Sequence, residues 1–429
     1  MAAIPAPFLI PNFRAFWMAR FMGTVASMML VIVIGWQVYD IARQTMTPRD
    51  AAFLLGMVGL VQFIPMFSLT LVVGVIADRV DRRYIARAAV ALELACAAAL
   101  GWLVYHDRIT LEALFVIAFL FGVARAFAGP SLSALAPNLV PRNILPAAIA
   151  LNSISWQAGA VAGPPLGAFL YAAGPAIPYV TAAVLFLVTL GALFMIGPVP
   201  RPEPSQLSRW RSLVEGLGYV RHNRIVLGAI SLDLFAVLLG GATAMLPVYA
   251  RDVLHVGVEG LGPLRAAPAV GAALTALVLA FRPLSRKVGP VMFVCVGLFG
   301  VSTIVFGLST NVSLSLAALV VLGAADMISM YVRASLIQLH TPDAMRGRVS
   351  SVSMLFVSAS NELGEFESGV TAAWLGPVEA VVAGGIGAVI VTGLWAWGFP
   401  ELRLADRFSQ PNELASDALA GDEKPSAAV

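Results

Sequence analysis

An all-α membrane protein of about twelve transmembrane helices, set in two pseudo-symmetric halves of six, is the fold class the sequence predicts. Three observations predict it. The 429 residues are 59% hydrophobic and only 12% charged, where a water-soluble domain carries about 25% charge. Apolar runs of about 20 residues, the length a helix needs to cross a bilayer, recur along the whole chain. Landmarks of the first half also return in the second at one offset of 201: Gly122 and Pro141 map onto Gly323 and Pro342, and Gly163 onto Gly364. A backbone inside lipid must satisfy its own hydrogen bonds, which selects helices.

In order, the first half reads as spans at 16–40, 53–77, 84–105, 111–136, 147–171 and 177–196. The second reads as 225–249, 261–281, 290–308, 313–336, 349–374 and 377–399. The run from Phe16 to Tyr39 is too long for the apolar core of a signal peptide and counts as a span. Residues 1–200 thus form one six-helix bundle and 225–400 the other. Between them, Pro198, Pro200, Pro202 and Pro204 make a stiff exit. Trp210, Leu213, Leu217 and Val220 then recur at helical spacing among Arg209, Arg211, Glu215 and Arg221. That pattern suits an amphipathic helix lying on the membrane surface, within a linker at 201–224. The tail, 401–429, is polar, with the composition of a disordered segment.

Charge placement sets orientation. With the N-terminus inside, nineteen of the 27 Lys and Arg fall in cytoplasmic segments. Five fall outside: Arg43, Arg49, Arg108, Arg251 and Arg265. This asymmetry places both termini in the cytoplasm. Only two lysines occur, Lys287 and Lys424, and neither follows glycine, so a nucleotide-binding Gly-Lys-Ser/Thr loop is absent and ATP hydrolysis by this chain is excluded. Cys96 and Cys295 sit in apolar runs and read as packing residues. The four histidines are peripheral. No metal cluster, cofactor motif, nucleic-acid signature or nucleophile–base pattern is present, so the chain does not read as an enzyme.

The charges inside spans are the functional candidates, since each is costly in lipid. Arg125 lies mid-span, with Gly129 four residues on; it lines a cavity or forms an ion pair, for example with Glu93. The eleventh span carries Asn361-Glu362-Leu363-Gly364-Glu365-Phe366-Glu367. Glu362 and Glu365 share a face, and Glu367 points nearly opposite. Two carboxylates held close resist double ionisation, which suits proton coupling. The alternative is an unwound segment in which the acids are merely solvated. Asp233 and Asp326 are further proton-coupling candidates. Asp326 is the repeat counterpart of Arg125, and Arg333, seven residues on, could partly neutralise it. Arg125, Asn361 and Glu362 are the substrate-cavity candidates. In the fifth span, Gly159, Gly163 and Gly167 permit close helix packing, and Pro164 offers a bend.

Gly74-Val75-Ile76-Ala77-Asp78-Arg79-Val80-Asp81-Arg82-Arg83 is a charged turn between two apolar runs. By itself it is a positive-inside anchor. It also resembles the Gly-x-x-x-Asp-Arg-x-Gly-Arg-Arg/Lys loop of major facilitator superfamily transporters, with Asp81 in place of the second glycine. The resemblance implies the major facilitator fold, and a conformational gate formed by Gly74, Asp78, Arg79, Arg82 and Arg83 against the eleventh span. The Gly159–Gly167 stretch is similar to a motif of exporting members. Met345-Arg346-Gly347-Arg348-Val349, Asn361–Gly369, Asn12-Phe13-Arg14 with Gln37-Val38-Tyr39, and Leu264–Gly271 resemble the enterobactin exporter-like branch. That likeness implies a bacterial inner-membrane exporter of siderophore-like or amphipathic drug-like molecules. It would be monomeric, cofactor-free and driven by proton antiport through alternating access. An uptake symporter or lipid flippase would share the fold, and a non-transporting receptor is the alternative of a different class.

Overall fold

The computed structural model describes residues 6–198 and 209–408, without the side chains at 70–72, 74, 75, 77–79, 142, 209–212 and 344. The first half comprises α1 (Pro11–Ala42), α2 (Pro48–Arg79), α3 (Arg82–Tyr105), α4 (Leu111–Leu135), α5 (Leu145–Ala173) and α6 (Ile177–Met195). After α7 (Arg209–His222), the second half comprises α8 (Arg224–Leu239), the short α9 (Leu246–Val248), α10 (Gly257–Phe281), α11 (Val288–Leu308), α12 (Val312–Leu339), α13 (Asp343–Leu375) and α14 (Pro377–Gly398). A final turn, α15 (Pro400–Arg403), follows. No strand occurs among the described residues.

Polar side chains start the helices. Thr47, Asp81, Thr110, Asn223 and Asn311 each accept a bond from a backbone N–H of the first turn of α2, α3, α4, α8 and α12. Each satisfies a donor the helix start leaves unpaired. Between α13 and α14 the chain turns on Gly376 at φ 116°, a conformation that favours glycine.

Nine described helices are long and apolar enough to cross a membrane. The helices α5, α8 and α13 complete a set of twelve. They escape a simple hydropathy reading for visible reasons. In α5, Gly, Pro and polar residues interrupt the apolar run. In α13, Arg346, Arg348 and three glutamates do so, and α8 is only 16 residues long. The expected single span at 225–249 is corrected here: the helix stops at Leu239, and residues 240–245 are non-helical before α9. Gly240 and Gly241, poor helix formers, mark the break. In contrast, α13 runs without interruption through its acids, so the unwound alternative does not hold.

The two-fold repeat is visible in the packing. Gly122 of α4 lets α2 approach, and a Cβ there would lie 2.7 Å from Gln62 O and 2.9 Å from Pro65 Cγ. Gly323 of α12 does the same for α10, where a Cβ would lie 2.6 Å from Pro268 Cα. Likewise Gly163 of α5 meets the backbone of α1 at Val25, and Gly364 of α13 meets α8 at Leu238. Replacing Gly323 by valine is expected to cost about 1–3 kcal/mol through overpacking. An unchanged melting midpoint of the purified protein would mean that α10 and α12 do not touch there.

The helix α7 meets α8 at 104°. It also docks on the second half. Glu215 pairs with Arg348 at 2.6 Å, Gly216 packs on the Arg348 carbonyl, and the Tyr219 hydroxyl donates to the His340 carbonyl. Val220 is buried while Val214 and Leu217 are exposed.

Candidate functional site: a charged junction between the halves

The contact that Gly122 makes with α2 also positions Arg125, one turn further along α4. Its guanidinium donates to Gln62 Oε1 at 3.1 Å. On its other side it meets Glu362 Oε1 of α13 at 3.4 Å. Arg125 is thus held by its own half and paired with the opposite one. A charge at this depth costs about 2.5–3.5 kcal/mol on insertion scales, and the carboxylate offsets that cost. Glu93 is not the bonded partner: it is buried in α3 and accepts from Ser27 Oγ at 3.4 Å.

Glu365 stands one turn beyond Glu362, where α13 crosses α2 backbone to backbone at Gly369 and Gly56. Gly59 leaves the room that Glu365 fills: a Cβ on Gly59 would lie 2.9 Å from Glu365 Cβ and 3.1 Å from its Oε2. Facing this crossing, Arg265 of α10 donates to Thr243 O at 3.0 Å. That carbonyl belongs to the break between α8 and α9. A pocket forms around the group, lined by Leu55, Val58 and Gln62 from one half and Thr243, Arg265 and Glu365 from the other. Glu367 turns away and accepts from Thr371 at 2.7 Å. Asn361 is exposed and enters no described hydrogen bond.

Deeper in the second half, Asp233 of α8 pairs with Arg333 of α12 at 2.5 Å. The charge of Arg333 also acts on Asp326, as expected, but its bonded partner is Asp233. Asp326 is exposed and belongs to no described ion pair. Two turns beyond Gly122, Gly129 faces open space, with nothing within 4 Å of a Cβ placed there.

The opposite end is sealed. Arg43 at the end of α1 pairs with Asp252 at 3.0 Å, and Tyr39 donates to the same carboxylate. Asp40 pairs in the reverse sense with Arg251, and Arg49 donates to Leu375 O at 3.1 Å. All four contacts join one half to the other. Of the residues expected to form a gate, Arg82 donates to Ala134 O at 3.0 Å, while Arg83 binds Asp81 and the Ile196 carbonyl. These contacts stay within the first half. The side chains of Gly74, Asp78 and Arg79 lie outside the described residues. The Gly159, Gly163 and Gly167 stripe packs on α1 from Phe21 to Val33, and α5 stays helical through Pro164.

The sequence profile of the transmembrane secretion effector family matches residues 2–416. The chain belongs to this family of major facilitator transporters. Among its relatives is an enterobactin exporter of Citrobacter koseri, 28% identical over 406 residues, with 94% of each chain covered. Another, from Escherichia coli O1:K1, is 26% identical over 416 residues, covering 95% of this chain and 96% of the relative. Solved transporters share the fold. A bacterial homologue of the human lysosomal transporter Spinster, inward-facing and unoccupied, aligns with a TM-score of 0.71 at 15% identity over 92% of this chain and 99% of that one. The inward-open xylose transporter of E. coli aligns at 0.67 and 13% identity, over 94% and 98%.

In this major facilitator transporter the seal is built to ignore moderate pH changes. Burial works to raise the Asp252 carboxyl, but the bonds from Arg43 and Tyr39 and the charges of Arg43 and Arg251 outweigh it, and the group is held below its ordinary value. A depressed carboxyl contributes fully above its unfolded value of about 3.9 and loses that contribution only as pH falls through the lower folded value. A Val58→Cys thiol in the pocket, probed from the sealed side with an impermeant maleimide, should therefore react equally at about pH 6 and pH 8 once thiolate fraction is corrected. A rise in labelling at the lower pH would contradict this.

Sequence reading missed three parts of the site. Arg265 counts as a loop cation in the sequence but lies well inside α10. Gln62 and Gly59 gave no separate signal, although Gly56 and Gly59 together mark a small-residue face toward α13.

Proposed function

We propose that this transporter is a secondary active exporter of small amphipathic molecules, driven by proton antiport. The observation that carries this reading is the junction itself. Acids of the second half and arginines of both meet in mid-membrane, beneath an end where ion pairs join the halves. That is the arrangement alternating access requires, with the site at the interface of the repeats. The positive-inside asymmetry puts the joined end on the outer side and both termini in the cytoplasm. Relatives named as enterobactin exporters support the outward direction and a siderophore-like or drug-like substrate. Glu362 and Glu365 are the proton-coupling groups, with Asp233 as a further one. Arg125 and Glu362 form the cavity wall between the halves. Gly74, Asp78, Arg79, Arg82 and Arg83 gate the cytoplasmic end, and the Gly159–Gly167 stripe with Pro164 lets α5 pivot on α1.

Transport into vesicles tests the direction. Inside-out vesicles with an acidic lumen should accumulate substrate, and dissipating the gradient should stop it. Gradient-driven accumulation by right-side-out vesicles instead would make the chain an importer.

A further inference from the structure

We propose that Asp326 anchors a cationic group of the transported molecule, in a subsite formed by the second half. The inference rests on the exporter reading and adds the ligand class to it. Its first support is the repeat. Gly122 and Gly323 pack on their neighbours, α2 and α10, in the same way. Arg125 and Asp326 each follow three residues later, so Asp326 holds in the second half the position that Arg125 holds in the first. The second support is exposure. Asp326 lies fourteen residues into α12, about 21 Å along it, yet its side chain is exposed.

The third support is the surrounding charge. Arg333 is engaged with Asp233 at 2.5 Å, and both side chains are at most 12% exposed. The neighbouring α11 contains no charged residue. On α10 the charged residues are Glu259 and Arg265, and Arg265 is bound to Thr243 O. Two acids therefore share one arginine, which is bonded to Asp233 and reaches Asp326 only through its charge, so the cluster has one acid in excess at membrane depth. Such a charge calls for a partner from outside the protein. Arg125 offers no equal opening to an anion, because Glu362 and Gln62 already hold it. Met330, one turn beyond Asp326 on the same face, is also exposed and supplies an adaptable apolar wall. A lipophilic ammonium or phosphonium matches this combination.

Two probes of one shape and opposite charge test the assignment: tetraphenylphosphonium and tetraphenylborate, bound to the purified protein. Wild type should prefer the cation. Asp326→Asn should weaken phosphonium binding by about tenfold or more, the effect of about 1.4 kcal/mol, with tetraphenylborate no weaker. Asp326→Glu should retain binding, which separates loss of charge from loss of folding; melting curves of both variants check the latter. If Asp326→Asn does not fold, the wild-type preference and the Asp326→Glu result decide. Equal phosphonium affinity in folded Asp326→Asn, or a wild type that binds neither probe or prefers the borate, overturns the proposal. None of these results touches the exporter reading, which the vesicle direction decides on its own.

Discussion

Glu365→Gln is expected to reduce proton-driven efflux by about tenfold or more, a barrier change of about 1.4 kcal/mol or above, in a protein that still folds. The expectation follows from where the side chain sits. It fills the space over Gly59 where α13 crosses α2, between Arg265 and the Arg125–Glu362 pair. That crossing joins the halves, so on the proposed alternating-access cycle a proton gained or lost there changes the charge on a surface that has to separate. A buried charge is costly unless paired. Proton occupancy and separation of the halves are therefore linked, and each biases the other. Glutamine keeps the shape and removes the exchangeable proton. Glu362→Gln should act differently. It leaves Arg125 without its carboxylate counter-charge, so it should also lower the melting midpoint. Efflux that persists in both variants, with its proton dependence intact, would remove these residues from the coupling role. Downhill substrate movement without a gradient should survive in Glu365→Gln, and its loss would point to a substrate-binding role instead.

The sequence disclosed the architecture because lipid leaves few choices. Apolar runs of spanning length and the repeated glycines specify twelve helices in two halves, and Gly122 and Gly323 do pack alike. The charged residues in the spans were also legible, since each is an exception in an apolar run. Their partners were not. Helical spacing put Arg333 and Asp326 on one face, but Arg333 reaches across to Asp233 on α8. Spacing reports neighbours within a helix and says nothing of what the next helix brings. The same limit hid Gln62 as the ligand of Arg125 and Arg265 as the neighbour of Glu365. The break at residues 240–245 escaped because Gly240 and Gly241 lie inside an otherwise apolar run. The seal escaped because Asp40, Arg43, Arg251 and Asp252 looked like ordinary loop charges, and only the fold pairs them.

That seal gives the second large expected effect. Asp252→Asn combined with Arg251→Gln should open the sealed end, raising the population of that state by about tenfold. Each pair is partly exposed, and an isolated pair of this kind contributes about 0.2–1 kcal/mol. Two pairs of opposite sense, sharing adjacent residues and reinforced by Tyr39, together reach the 1.4 kcal/mol that a tenfold shift requires. The reversed polarity makes a decisive control possible. Exchanging the charges of one pair, Arg43→Asp with Asp252→Arg, should restore closure, whereas either change alone places like charges together and opens it further. Spin labels on the exposed residues of the α1–α2 turn and the turn before α10 would report the separation directly. A distance distribution that the neutralised double variant leaves unchanged would show that these ion pairs do not hold the end shut, and would leave that role to the Gly56–Gly369 crossing and the Arg49–Leu375 contact beside it. A seal that tight crossing alone maintains would make substrate release depend on α2 and α13 parting, and so on the charge state of Glu365.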